Sequence, residues 1–267
     1  MELSRLAALV LAGAALGWPQ TDIPGLLAKV RDHQAELDRL REDYAYTQAV
    51  THVETDKTGK EKKREVKTYE VTYYRRRRIE RLISVDGKPL AVADAAKEQR
   101  RVERLIRDLG EGKNPPDPEA NRKLQLSTLL RAERFSRPRK ESLHGREVIV
   151  FDFAADPAFR PANNAESFYR QVAGTLWVDE ADLQVARVEF RLIGPFKAGG
   201  GALFEMKPGA TFVNEQARFF DRIWLPVRSE AVFQARAALV YTFGVRETVE
   251  FRDYRRFSVK AEDVKER

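Results

Sequence analysis

Two long segments near the end of the chain alternate apolar and polar residues with a period of two, and this pattern restricts the fold more than any other feature. The period places successive side chains of a strand on opposite faces of a sheet. Each segment therefore predicts a long antiparallel strand with one buried face and one wet face. The apolar residues that share a face are Leu239, Tyr241, Phe243, Val245, Val249 and Phe251 in the last segment, and Ile223, Leu225, Val227, Ala231, Phe233 and Ala235 in the preceding one.

Shorter segments with the same alternation are separated by turn residues through most of the chain. Strands are predicted at 44–53, 63–74, 76–85, 134–143, 146–153, 174–178, 184–193, 210–220, 223–235 and 238–254. Apolar residues at helical spacing predict helices at 23–42, 91–109 and 119–132, and a short helix within 156–172. The Gly-rich segment 194–209 is expected to be irregular. Short turns between successive strands predict a meander sheet, so we expect an α+β, mainly antiparallel β domain over 22–257, followed by a charged tail at 258–267.

The first 17 residues resemble a signal peptide. A positive start with Arg5 precedes an unbroken run of Leu, Ala, Val and Gly from Leu6 to Gly17, and Trp18-Pro19 ends it. The run is shorter than the roughly 20 residues that span a bilayer, which favours a cleaved leader over a membrane anchor. We therefore expect an exported, periplasmic protein that is soluble or peripheral to the membrane.

The residue types that carry chemistry are scarce. The chain has no cysteine, which excludes disulfides, thiolate metal sites and a lipid-modified cysteine. Its three histidines have no metal-ligand spacing, and no serine sits in a nucleophile elbow. One group of carboxylates could act as acid and base, although turn and surface roles fit it better: Asp152, Asp179, Glu180 and Asp182. We therefore expect no catalytic residue, no cofactor and no metal, and the protein is not expected to be an enzyme.

Basic residues form the strongest remaining signal in a chain with a formal net charge of +7. They concentrate in one predicted hairpin and at the start of the next strand, with tyrosines between them. The residues that could contact anionic head groups are Lys62, Lys63, Arg64, Arg75, Arg76, Arg77 and Arg78. The alternative is a solvated sheet edge in which Glu61, Glu65 and Glu80 are cross-strand partners. Nucleic acid is not an expected partner of an exported protein.

Several segments together resemble a known superfamily. They are "LISVDGKPL" before a helix pair, "GREVIVFDF", "GTLWVDEADLQVARVEF" and "FFDRIWLPVRSEAVF". In the last two, a strand ends in a Trp-x-Asp turn and another begins with Trp-x-Pro. The chain from about Asp22 to Phe257 is similar in these respects to the LolA/LolB-like periplasmic carriers, or outer-membrane lipoprotein-sorting proteins. The resemblance implies a curved, unclosed β-barrel whose concave apolar face, covered by helices, holds acyl chains.

Two functions follow as hypotheses. The first is a carrier that shields lipid or lipoprotein acyl chains in the half-barrel, with a possible anionic membrane surface as a second partner. Its cavity is expected to be lined by Leu225, Val227, Phe233, Tyr241, Phe243 and Phe251. The second is a non-enzymatic envelope scaffold whose core is filled by its own side chains. The ligand and the oligomeric state are left open at this stage.

Overall fold

The structure is a computed structural model that describes residues 22–116, 126–198, 204–220, 223–237 and 241–256. The predicted leader at 1–17 and the charged tail at 258–267 lie outside these residues. The N-terminal half of the predicted helix at 119–132 lies outside them too.

Four helices are described, and local sequence accounts for the start of the first. Helix α1 (Ile23–Leu40) has Pro24 in its first turn, and the carboxylate of Asp22 accepts a hydrogen bond from the Gly25 N–H at 3.0 Å. Such a cap satisfies a backbone donor that has no partner inside the helix. The others are α2 (Val92–Gly110), α3 (Leu126–Ala132) and α4 (Asn164–Ser167), with single 3₁₀ turns after α1 (Arg41–Asp43) and after α4 (Phe168–Gln171).

Thirteen strands are described. In chain order they are β1 (Tyr44–Thr55), β2 (Glu61–Tyr74), β3 (Arg77–Val85), β4 (Lys88–Pro89), β5 (Glu133–Leu143), β6 (Arg146–Ala155), β7 (Val172–Asp179), β8 (Val185–Leu192), β9 (Phe196–Ala198), β10 (Phe204–Met206), β11 (Thr211–Phe219), β12 (Ile223–Ala237) and β13 (Tyr241–Arg256). Ten of them agree with the predicted segments to within a few residues, whereas the short strands β4, β9 and β10 were not predicted.

The strands form one antiparallel sheet in the order β4-β3-β2-β1-β13-β12-β11-β8-β7-β6-β5. Sequence neighbours pair along most of this order, as a meander requires. The exceptions are β1, which pairs with β13, and β8, which pairs with β11. Strands β4 and β5 end the order without pairing with each other among the described residues, so the sheet is an unclosed, curved barrel.

Two local features differ from the sequence prediction. The segment 194–209 is not wholly irregular, because β9 and β10 form a hairpin whose second strand pairs with the end of β12. The second feature is a β-bulge at Val227: Arg228 is opposite Glu215, whereas Pro226 is opposite Gln216. A bulge of this kind adds one residue to one strand and reverses its alternation. The predicted common face of β12 is therefore wrong for Ile223 and Leu225, which lie on the other face from Phe233.

Helices α1 and α3 cover the concave face over β5–β8, and the space beneath them is full. Phe151, Leu176 and Val188 face this space with at most 1% of their surface exposed, and Val30 of α1 and Leu129 of α3 pack against them. Aromatic rings close the rim, with Phe190 stacked on Phe212 at 4.9 Å between centroids. Because this interior is closely packed by the chain's own side chains, it supplies the main stabilising core.

Helix α2 packs at the opposite end of the sheet, against edge strand β3. Its Val102 and Leu109 cover Ile79 and Tyr74. The helix also satisfies backbone groups of the edge strand: Glu98 accepts a hydrogen bond from the Leu82 N–H at 2.9 Å, and Arg101 donates to the Glu80 carbonyl. An exposed edge that is covered in this way does not pair with other chains.

Candidate functional site

The continuation of the concave face across β12, β13, β1 and β2 is only half covered. The strand register aligns its inward side chains in rows: Phe233 with Val245, Val249 with Val50, and Phe251 with Gln48 and Tyr69. Most of these apolar side chains are half-buried rather than buried. We call this surface the open face, defined by Phe233, Phe243, Val249, Val50, Phe251 and Tyr69.

A charged row crosses the open face between its apolar rows. His52 of β1 lies directly across from Glu247 of β13 and Glu65 of β2. The His52 Nδ1 atom lies 3.5 Å from a Glu247 oxygen, and Lys67 Nζ lies 2.7 Å from a Glu65 oxygen. The open face is therefore amphipathic, with apolar side chains on both sides of a wet ionic row.

A buried polar cluster closes one end of the open face. The guanidinium of Arg78 donates to the Tyr46 hydroxyl at 3.2 Å and to the Gln48 side chain, and it is ion-paired with Glu80. Burial alone would lower the pKa of Arg78, but the neighbouring Tyr46 and Glu80 outweigh it and raise that pKa. Burial, reinforced by Tyr46, raises the pKa of Tyr73, which therefore stays neutral.

Arg41 joins the end of α1 to the sheet at this same end. Its guanidinium donates to the Trp224 carbonyl at 3.2 and 3.3 Å, to the Gln216 side chain, and to Asp38 at 3.1 Å. Burial lowers the pKa of Arg41, and Asp38 opposes the shift. Sequence reasoning missed this residue, because its partners Gln216 and Trp224 are far away in the chain and no local motif connects them.

The structure separates the six residues that were predicted to line a cavity. Tyr241 and Phe243 meet at one end of the open face, with their rings 5.5 Å apart, and Phe251 lies at the other end beside Tyr46. Phe233 lies opposite Val245 and packs against the core under the helices. Tyr241 is 48% exposed. Val227 is the bulged residue, and Leu225 is buried in a second core cluster with Val150 and Trp224.

The four consecutive arginines hold the β2–β3 turn in place. Arg75 and Arg76 form the turn itself, with φ of 47° and 66°, rather than opening the strand as predicted. Arg75 donates to the Leu109 and Gly110 carbonyls at the end of α2, at 3.0 and 3.1 Å. Arg76 pairs with Glu42 at 3.1 Å, and Arg77 donates to the Pro115 carbonyl at 3.3 Å. These four side chains therefore have structural partners within the chain.

The lysine-rich hairpin between β1 and β2 is more exposed. Arg64 pairs with Glu61 at 2.8 Å, and Lys63 lies 3.9 Å from Glu65, but both pairs lie within β2 and do not cross between strands as the solvated-edge interpretation expected. Lys62 has no ion pair within the described residues, and its side chain faces solvent. This hairpin remains available for contact with an anionic surface.

All four candidate catalytic carboxylates are ion-paired. Asp152 pairs with Arg139 at 3.0 Å, and Glu180 with Lys140 at 2.7 Å. Arg146 bridges Asp179 and Asp182 at 2.5 and 3.2 Å. Asp179 is 1% exposed; burial would raise its pKa, but Arg146 outweighs it and holds that pKa below its usual range. Each of these carboxylates therefore has a structural partner, which fits the turn and surface roles expected from the sequence.

The same ionic network explains the two tryptophan motifs. The indole N–H of Trp224 donates to Asp182 at 2.9 Å, and the guanidinium of Arg146 lies over the Trp224 ring at 5.5 Å. The Trp-x-Asp turn that ends β7 and the Trp-x-Pro segment that begins β12 are therefore joined through Arg146. Their role is to fix the β7–β8 turn against β12.

The described ranges hold neither a metal-binding cluster nor a helix that could cross a membrane. Among these residues no group of three or more His, Asp or Glu side chains is arranged to hold a metal ion. Within the same residues no helix is both long and apolar enough to cross a bilayer.

Comparisons with solved structures found several similar chains, among them the following two. One is an outer membrane lipoprotein-sorting protein domain from Vibrio parahaemolyticus, 12% identical, covering 89% of this chain and 96% of that one with a TM-score of 0.39. The other is a DUF1329 family protein from Desulfovibrio piger, also 12% identical, covering 89% and 95% with a TM-score of 0.33. No family model and no curated protein matches the chain. Both TM-scores are below 0.5, so neither similarity carries a conclusion about the family or the activity of this chain.

Proposed function

We propose that this is an exported, periplasmic protein that binds an acyl chain of a lipid or lipoprotein on the open face. The observation that carries the proposal is the contrast between the full space under α1 and α3 and the half-buried apolar rows beside it. From Phe243 to Phe251 the strand runs about 26 Å, at about 3.3 Å per residue. One leaflet of a bilayer is about half of the ~30 Å hydrocarbon core, so an acyl chain fits within this length.

The expected mechanism is burial without covalent chemistry. Each methylene removed from water contributes roughly 0.8 kcal/mol, so a chain in contact with the apolar rows gains enough for reversible binding. The ionic row of His52 and Glu247 interrupts the apolar surface, which favours an amphiphile over a simple hydrocarbon. The four carboxylates considered as catalytic candidates are all held in ion pairs with basic side chains, which supports a non-enzymatic role: Asp152, Asp179, Glu180 and Asp182.

A scaffold function is the second candidate, and a specific observation favours it. The place where the sequence hypothesis expected a ligand, under the helices, is filled by Phe151, Leu176 and Val188. A scaffold of this kind would bind no chain on the open face, which a partner protein would cover instead.

A pair of adjacent substitutions on β13 separates the two candidates. Val249 and Thr248 are both half-buried, but Val249 belongs to the open face and Thr248 points to the opposite one. For a carrier, Val249→Asn should weaken binding of a fluorescent long-chain fatty acid several-fold, whereas Thr248→Asn should leave it unchanged. A parent protein that binds no such probe would rule out the carrier.

Export is tested independently of binding. The intact mass of protein recovered from a periplasmic fraction should show that about the first 17 residues have been removed, as the leader-like run Leu6–Gly17 predicts. Full-length protein confined to the cytosol would contradict the periplasmic assignment without deciding the question of binding.

A further inference from the structure

A cleft of about 290 Å³ lies outside the open face, between β3, α2 and the segment that follows α2. Its walls carry four arginines, Arg77, Arg78, Arg101 and Arg104, and its apolar lining includes Leu105 and Pro116. Guanidinium groups offer several N–H donors in a planar fork that fits the oxygens of a phosphate or a carboxylate. A concave surface lined by one sign of charge also concentrates counterions.

The acidic residues of the cleft leave a positive balance. Its two carboxylates are Glu80 and Asp108, so four arginines against two acids give a formal charge of +2. Glu80 is ion-paired with Arg78, and Asp108 lies 3.2 Å from the ammonium of Lys113, outside the cleft lining. Glu80 is therefore neutralised within the cleft, whereas Asp108 shares the Lys113 ammonium with Glu111, which lies 2.6 Å from it; the formal charge of the lining residues remains positive.

Arg104 is the cation of this cleft that is available to a ligand. Arg101 is occupied by Glu98 at 2.8 Å and by the Glu80 carbonyl. Arg104 lies one helical turn further along α2, is exposed, and has no ion pair or hydrogen bond with any described residue. A free guanidinium at the mouth of a positively charged cleft is suited to make a charge-assisted contact with an incoming anion.

Arg78 connects this cleft with the open face. Arg78 lines the cleft, and its guanidinium also donates a hydrogen bond to the Gln48 side chain. Gln48 lies in the same row of the open face as Phe251 and Tyr69. We propose that the cleft binds the phosphate of an anionic amphiphile whose acyl chain lies on the open face. This inference rests on the proposed function and adds to it the class of ligand, a chain that carries a phosphate head group.

The experiment compares two charge reversals on the same helix. Arg104→Glu changes the cleft, and Arg100→Glu is the matched control, since Arg100 is also exposed and without an ion pair among the described residues but does not line the cleft. The probes are a fluorescent lysophosphatidic acid, a monoacylglycerol with the same chain and no phosphate, and inorganic phosphate. Thermal unfolding of both variants checks that the fold is retained.

The expected result is a loss of about tenfold or more in lysophosphatidic acid affinity for Arg104→Glu, with less than about a twofold change for Arg100→Glu. Monoacylglycerol binding should be the same in all three proteins. Equal losses in the two variants, or equal affinity of the parent for both lipids, would overturn the head-group site while leaving chain binding intact. If the parent binds neither lipid, the proposed function fails.

Inorganic phosphate then decides whether the cleft is an anion site at all. Binding of phosphate by the parent that is lost in Arg104→Glu would support the cleft as a site for free phosphate. No binding of phosphate by the parent would overturn the proposal that the cleft binds phosphate groups.

Discussion

The two halves of the concave face are built from the same kind of strand but are completed in different ways. Over β5–β8, the inward residues are mostly apolar, and α1 and α3 bury Phe151 and Leu176 completely. Over β13, β1 and β2, the apolar rows alternate with polar ones, and Val50 and Phe243 remain half-buried. One half is therefore a stability core, and the other is a surface on which a ligand could complete the burial.

The difference originates in the polar residues at inward positions. In β1 they include Gln48, His52 and Glu54, and in β2 they include Glu65 and Lys67. Burying such groups without partners costs free energy, so a helix packed directly over them would be unfavourable. Where they are buried, at the Arg78 end, each has a hydrogen-bond or ionic partner. Elsewhere they remain hydrated, and the face stays open.

The largest expected difference between the halves is in stability. Phe151→Ala in the covered half should lower the free energy of unfolding by about 3–5 kcal/mol, because it leaves a cavity in a packed core. Phe243→Ala in the open half should cost about 1 kcal/mol, since its ring is already partly hydrated, but it should reduce fatty-acid probe binding. Urea unfolding measures both. A loss at Phe243 as large as that at Phe151 would mean that the open face is packed in solution.

Glu133 gives the covered half a pH dependence of its own. Its carboxylate begins β5, is 6% exposed, and has no hydrogen-bond partner among the described residues. Burial, with Asp156 nearby, raises the pKa of Glu133 to about 8. The native state therefore keeps a proton that the unfolded chain releases above its ordinary pKa of 4.5. The contribution of Glu133 to stability is full below about pH 4.5 and is lost as the pH rises towards 8.

The variant Glu133→Gln tests this effect directly. The amide carries no charge, so the decline in stability between pH 4.5 and 8 should largely disappear. At pH 8 the variant should be more stable than the parent by on the order of 3 kcal/mol, and at pH 4 the two should be similar. Thermal unfolding across this pH range measures the difference. Parallel pH profiles for the two proteins would contradict the assignment of the proton to Glu133.

Sequence alone predicted the elements that depend on short-range patterns. The alternation Tyr241, Phe243, Val245 places these residues on one face of β13, and the Asp22 and Pro24 signals locate the start of α1. Local periodicity is sufficient in such cases, because the geometry of a strand or a helix relates residues that are close in the chain. The apolar face of β13 and the mainly antiparallel architecture were obtained in this way.

The remaining features depend on contacts that no local pattern records. The bulge at Val227 is set by the pairing of β12 with β11, and it moves Leu225 to the other face. Arg75 and Arg76 adopt positive φ although neither is Gly or Asn, because side-chain contacts with α2 and Glu42 hold the turn. The basic residues that line the cleft around Arg104 can be read from the sequence. That they lie close together could not be predicted, because this requires α2 to pack against β3.

A smaller effect is expected at the outer edge of the open half, where the β2–β3 turn is attached to α2. Arg75→Ala removes two hydrogen bonds to the last carbonyls of α2 and should cost about 1 kcal/mol. Arg76→Ala is the control, because Arg76 also has a positive φ. This variant loses only the ion pair with Glu42, which contributes little because the Arg76 side chain is 69% exposed. Hydrogen exchange at the end of α2 should accelerate in the first variant alone. Equal acceleration in both would indicate that backbone strain, not the Arg75 contact, governs the turn.

The smallest effect on stability, and the sharpest test of surface chemistry, concerns the lysine-rich hairpin that extends the open half. Lys62→Glu should change the free energy of unfolding by no more than about 0.5 kcal/mol, since its side chain is exposed and unpaired among the described residues. If the open half approaches an anionic membrane, this variant should bind phosphatidylglycerol vesicles more weakly than the parent. Vesicle binding by the parent should also fall steeply with salt, because the electrostatic screening length shortens to about 3 Å at 1 M.

Arg170→Glu is the control, because it makes the same change of charge beside the covered half and should leave vesicle binding unaltered. Equal binding by the parent and Lys62→Glu would leave the hairpin as a solvated edge, and an equal loss in both variants would show that vesicles respond to net charge and do not distinguish the two halves.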